Sequence, residues 1–121
     1  MSSEMMKIAS LSGVNLDYAV TAYVLKYPLI VDFMPGGRRT IFTNIRGVQK
    51  QFSPSSFWSE AGPLIQQFGV SLICGTEGKW TAWVEESSRF ESSDPIEAAL
   101  RALVSHKNPG TDEVECPVKF N

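Results

Sequence analysis

The stretch from Phe52 to Val70, FSPSSFWSEAGPLIQQFGV, gathers most of the side chains in this chain that could hold a ligand. Ser53, Ser55 and Ser56 carry hydroxyls, and Pro54 stiffens the loop that presents them. Gly62 and Pro63 read as a helix start, because a proline at the first helical position forfeits no hydrogen bond. The unpaired N–H groups of such a start lie at the positive end of the helix dipole, a natural seat for an anion. Trp58 offers a flat face on which a base or a sugar can stack, as do Trp80 and Trp83 further along. Arg38, Arg39 and Arg101 are the cations that would neutralise a charged ligand, and a homo-oligomer is one arrangement that would complete such a pocket. The same residues also read as a turn with serine caps and core tryptophans, and spacing leaves both readings open.

Catalytic groupings are not in view. The single histidine, His106, falls late in a predicted helix, which leaves no Ser–His or Cys–His pair. There is no GxxxxGK loop and no GxGxxG after a strand. Glu85, Glu86, Glu91 and Asp94 lie on polar stretches and read as solvated surface rather than an acid/base pair or a metal site. Cys74 and Cys116 lack metal-ligand spacing and read as free thiols, with Cys74 in the core. The expectation is a protein that is not an enzyme and carries no metal and no cofactor.

The elements that must position these residues follow from bulk properties and periodicity. The chain has 121 residues, 43% hydrophobic and 20% charged, which suits a single folded domain, residues 1–121. A formal charge of -2 argues against capture of duplex DNA, which rests on clustered cations. No apolar run approaches the roughly 20 residues needed to span a bilayer, and MSSEMMKIAS lacks a signal-peptide core, so a cytoplasmic location is expected.

Ser12 reads as a helix N-cap with Leu11 and Leu16 as a hydrophobic staple, and apolar residues recur at Leu16, Ala19, Val20, Tyr23 and Val24. Pro28 stops this helix. Leu29–Phe33 and Thr40–Ile45 read as strands joined through Pro35-Gly36-Gly37, and Arg46–Gln51 as a loose polar stretch. A short helix from Pro63 closes at Gly69. Val70–Cys74 and Lys79–Val84 form a second strand pair, on which Trp80 and Trp83, three apart, face opposite sides. Asp94-Pro95-Ile96-Glu97 caps a last helix with a stripe at Ile96, Ala99, Leu100, Leu103 and Val104. The expected fold is a small α+β domain: a mostly antiparallel sheet of about four strands with helices packed on one face, and loosely packed ends at 1–6 and 111–121.

The segments LSGVNLDYAV (11–20), FSPSSFWSEAGPLIQQFGVSL (52–72), WTAW (80–83), DPIEAALRALV (94–104) and DEVECP (112–117) resemble, in order, the NinX-like proteins of tailed phages and prophages. The related pattern at the serine loop is approximately Y/F-S-P-S-T-D-W-A-Q-G-G-P-I-I. Ser53, Pro54, Ser55, Trp58, Gly62 and Pro63 match it, whereas Phe57 replaces an acid, and Glu60 and Ala61 also depart. The resemblance implies a phage accessory protein acting in the bacterial host cytoplasm without a catalytic role. Taken with the loop, it points to capture of a small anionic, nucleotide-like ligand, such as a cyclic dinucleotide or cyclic ADP-ribose species, that serves host defence. Its alternatives are a module that blocks a host defence or replication protein, and an accessory factor in phage recombination or DNA metabolism.

Overall fold

The computed structural model describes residues 3–33, 36 and 39–117. Eight strands are present among them: β1 (Ser3–Lys7), β2 (Leu29–Phe33), β3 (Arg39–Ile45), β4 (Val48–Gln51), β5 (Val70–Cys74), β6 (Trp80–Val84), β7 (Phe90–Ser92) and β8 (Glu113–Pro117). They form three antiparallel sheets, β1–β8, β2–β3–β4 and β5–β6–β7, so the expectation of one sheet of about four strands is overturned. The four expected strands are all there, but as two separate hairpins, each widened by a third short strand. Val48-Gln49-Lys50-Gln51 is an exposed edge that needs no apolar alternation, and Phe90–Ser92 is only three residues long, so neither leaves a period-2 signal.

Among the described residues, 3–7 and 113–117 pair as an antiparallel ladder. Met6 pairs with Val114 and Glu4 with Cys116, and both Val114 and Cys116 are buried. Cys74, expected in the core, lies exposed at the end of β5, while Cys116 takes the buried position.

Three helices bridge the sheets. The first, α1 (Gly13–Ala19), continues as a π-helical segment, Val20–Leu25. Lys26, at a left-handed φ of 56°, ends it just before Pro28. Leu11 and Leu16 are both fully buried, as a staple requires. The second, α2, runs Trp58–Phe68 and closes at Gly69, whose φ of 66° is the left-handed conformation that glycine adopts without a Cβ clash. The third, α3 (Pro95–Lys107), starts as its sequence demands: Asp94 accepts from the Ile96 N–H at 3.0 Å and Pro95 stands at the first helical position.

Helices covering one face of a sheet do not describe this arrangement. In α3 the expected stripe is buried, and so are Ala98 and Ala102 beside it. A helix buried beyond one stripe is a central element rather than a cover. It packs on β5, β6 and β7, and it also touches α1, the π-helical segment and α2. In turn α1 touches β3 and β8, and Val114 and Cys116 of β8 join the same core.

Candidate functional site

The loop from Phe52 to Phe57 is held against the start of α1 by carboxylates. The Ser55 N–H donates to Asp17 Oδ1 at 2.7 Å, and the Ser55 hydroxyl donates to the Gly13 carbonyl at 3.3 Å. Gly13 can turn its carbonyl this way because its φ of +54° is open to glycine. From the other side, Glu60 in the first turn of α2 accepts from the Ser53 N–H at 2.7 Å. Two acids thus take the N–H groups of Ser53 and Ser55, while those of Phe52 and Ser56 go to the carbonyls of Ile41 and Ser53.

Hydroxyls of this loop serve the interior as much as the surface. Ser53 is buried, and its Oγ lies 3.3 Å from Thr40 Oγ1 across β3. Gln51 Nε2 donates to Thr40 Oγ1 at 3.3 Å and to Ser53 Oγ at 3.2 Å. Pro54 is fully buried behind them.

Between this network and α1 lies a cavity of about 370 Å³. Gly13, Val14 and Asp17 line it from α1, Arg39, Thr40 and Gln51 from β3 and β4, and Ser53, Ser55, Ser56 and Phe57 from the loop. Asp17 is only 4% exposed, and burial pushes its carboxyl up to about 6 from the ordinary 3.8. The N–H and hydroxyl of Ser55 oppose that rise, and the neighbouring charge of Glu60 adds to it. Next to a cavity, a carboxyl held in its titrating range is a mark of functional sites.

The residues singled out by sequence fall into three groups. Ser53, Ser55, Ser56 and Arg39 come together in this cavity, with Pro54 behind them. Trp58, Gly62, Trp80 and Trp83 do not line it. Gly62 and Pro63 are not a helix start, because α2 begins five residues earlier at Trp58 and Pro63 sits inside it. The anion seat expected there is therefore absent, and the true N-terminal turn already contains Glu60. Trp80 packs against the core from β6, while Trp83 points the other way with the Arg89 guanidinium 3.9 Å from its ring. Arg101 is committed to structure: it donates to the carbonyls of Leu11 and Glu91 at 2.8 and 3.1 Å and pairs with Glu97 at 2.7 Å. Arg38 lies outside the described residues.

Sequence reasoning missed Asp17, Thr40, Gln51 and Glu60. For Asp17 a signal was present, since an acid three before Val20 and four before Thr21 falls on the buried side of the helix. Thr40, Gln51 and Glu60 carry no such signal. Phe57 also gains a meaning. It occupies the N-cap of α2, makes no side-chain cap bond, and is 51% exposed on the cavity rim. The acid of the related pattern falls at a position where a carboxylate caps a helix.

A second cavity, of about 620 Å³, lies between the β6–β7 connection and the end of α3. Here Ser87 Oγ meets His106 Nδ1 at 3.0 Å, a Ser–His contact that the sequence reading did not find. Among the described residues no carboxylate bonds the other nitrogen of that ring, so the pair lacks the orienting third member of a nucleophilic triad. Also among the described residues, no group of three or more His, Cys, Asp or Glu side chains is placed to hold a metal ion. None of the helices there is long and apolar enough to cross a membrane.

With the fold and cavity in place, comparison with known proteins identifies the class as a phage protein. The family described as Bacteriophage P22, NinX matches residues 7–107, and the chain belongs to that family. No curated protein matches the chain.

Proposed function

We propose that this phage accessory protein is a non-catalytic binder that captures a small nucleotide-derived ligand in the cavity beneath the serine loop. The observation that carries the reading is Asp17: a nearly fully buried carboxyl, raised in pKa, facing a cavity that Arg39 also lines. A ligand with hydrogen-bond donors at one end and negative charge at the other suits both groups, and a nucleotide has both. The volume of about 370 Å³ fits one nucleotide unit. Phe57, on the rim, adds an aromatic face for stacking. In the host cytoplasm such a protein would withdraw a nucleotide signal used in defence.

Isothermal titration against mononucleotides, cyclic mononucleotides and cyclic dinucleotides tests this. Heat from at least one member, abolished by Asp17→Ala in folded protein, is expected. No heat from any of them defeats the proposal.

A second reading has one observation in its favour. Phe57 and Trp58 are adjacent and 51% and 52% exposed, and exposed large aromatics on a small domain often mark a partner surface. Docking onto a host defence protein would then use these rings rather than Trp83, which Arg89 covers. Stoichiometric retention of one host protein by wild type, lost in Trp58→Ala, favours this reading over the first.

A further inference from the structure

We propose that the nucleotide base this cavity selects is guanine, a claim that rests on the nucleotide-binding reading and narrows it. Hydrogen-bonding capacity left over in the cavity decides the matter. Thr40 and Ser53 share one O–H bond and both accept from Gln51, so only one of their two hydroxyl protons remains to be donated. Both bonds formed by Gln51 are donated from Nε2, which leaves its carbonyl oxygen as an acceptor. Asp17 receives one N–H at Oδ1, from Ser55, and an ionised carboxylate has room for about three more donors. The side chains facing the base from α1 and β4 therefore offer acceptors, and a base that binds there must bring donors.

The four bases differ sharply on this point. Guanine presents N1–H and the 2-amino group side by side on one edge, the geometry a carboxylate accepts in two parallel bonds. Adenine sets its N1 lone pair beside its amino group, and cytosine does the same with N3. Uracil places a single N–H between two carbonyl oxygens. Each of these three forces a lone pair against the Asp17 carboxylate and leaves a buried acceptor unpaired, which is costly. Arg39 lines the same cavity, so a phosphate bound there meets a cation.

The test is calorimetric titration with GMP, IMP, AMP, CMP and UMP, in which sugar and phosphate are constant. We expect GMP to bind about ten- to a hundred-fold more tightly than AMP, CMP or UMP, the range set by one bidentate base contact. IMP, which keeps N1–H but lacks the 2-amino group, should fall between. Asp17→Asn should level the series, with folding checked by circular dichroism. AMP, CMP or UMP binding as tightly as GMP overturns the inference while leaving the nucleotide reading intact, as does IMP equal to GMP. No binding by any of the five overturns the inference, and the nucleotide reading falls with it when the cyclic mononucleotides and cyclic dinucleotides also give no heat. Because the GMP–IMP comparison uses wild-type protein, the claim is decided even if the variant does not fold.

Discussion

Replacing Asp17 by Asn should stabilise the protein near neutral pH and leave it little changed in acid. The reasoning runs from burial. The carboxyl is 4% exposed and its pKa stands at about 6 when folded, against 3.8 when free. Each pKa unit corresponds to about 1.4 kcal/mol, so keeping Asp17 ionised in the fold costs on the order of 3 kcal/mol. Because the folded pKa is the raised one, the folded state binds the proton more tightly. The stability that Asp17 contributes is complete below the unfolded pKa and is lost as pH rises through about 6. On the order of 2 kcal/mol of that loss falls between about pH 4 and about pH 7.5. Glu60, whose charge adds to the rise, faces the group from α2, and Arg39 lines the same cavity from β3. Asn carries no charge yet keeps an oxygen for the Ser55 N–H, so the bond at 2.7 Å survives. Urea unfolding of both proteins, followed by far-ultraviolet circular dichroism at the two pH values, gives the difference directly. The advantage of Asp17→Asn should grow by about 2 kcal/mol from the lower pH to the higher. An advantage that stays constant or shrinks with pH refutes the account of Asp17 as a charge held at a cost to stability. Retaining such a charge is the trade that binding sites make.

Other parts of the structure give shorter tests. Phe57→Asp places a capping carboxylate at the N-terminus of α2 and should raise stability by about 1 kcal/mol, seen as a higher melting temperature. Gly69→Ala meets no neighbouring atom within 4 Å, so its cost is conformational alone, about 1–2 kcal/mol in urea unfolding. Glu60→Ala leaves the Ser53 N–H without its acceptor and should cost about 1–3 kcal/mol, with faster hydrogen exchange at that amide, whereas Glu60→Gln should largely preserve both. Arg101→Met removes bonds to two carbonyls and an ion pair. It should destabilise by about 1–3 kcal/mol while leaving nucleotide affinity unchanged, which separates its role from that of Arg39.

What the sequence disclosed was local. The cap Asp94-Pro95, the staple of Leu11 with Leu16, the left-handed Gly69 and the two hairpins were all legible, because each rests on residues within a few positions of one another. Non-local pairing was not. The partnership of β1 with β8 joins the two ends of the chain, and nothing in SEMMK or EVECP announces it. The extra strands β4 and β7 are short or exposed on the edges of their sheets, where apolar alternation is not required. Pro63 misled because proline is commonest at a helix start, yet α2 accepts it one turn further in. The serine loop was legible as a wall, and it does line a cavity, but the partners of its backbone groups were not. The N–H groups of Ser53 and Ser55 are taken by Glu60 and Asp17, the latter 38 residues away in sequence. That contact sets a carboxylate acceptor beside the cavity under the loop.

The most direct test of the central claim is to titrate GMP into isotope-labelled protein and follow the backbone amide signals by nuclear magnetic resonance. Shifts should concentrate at Gly13 to Asp17, Thr40 and Gln51 to Phe57, and should vanish in Asp17→Ala. Shifts gathered instead around Ser87 and His106, or none at saturating nucleotide, contradict the account.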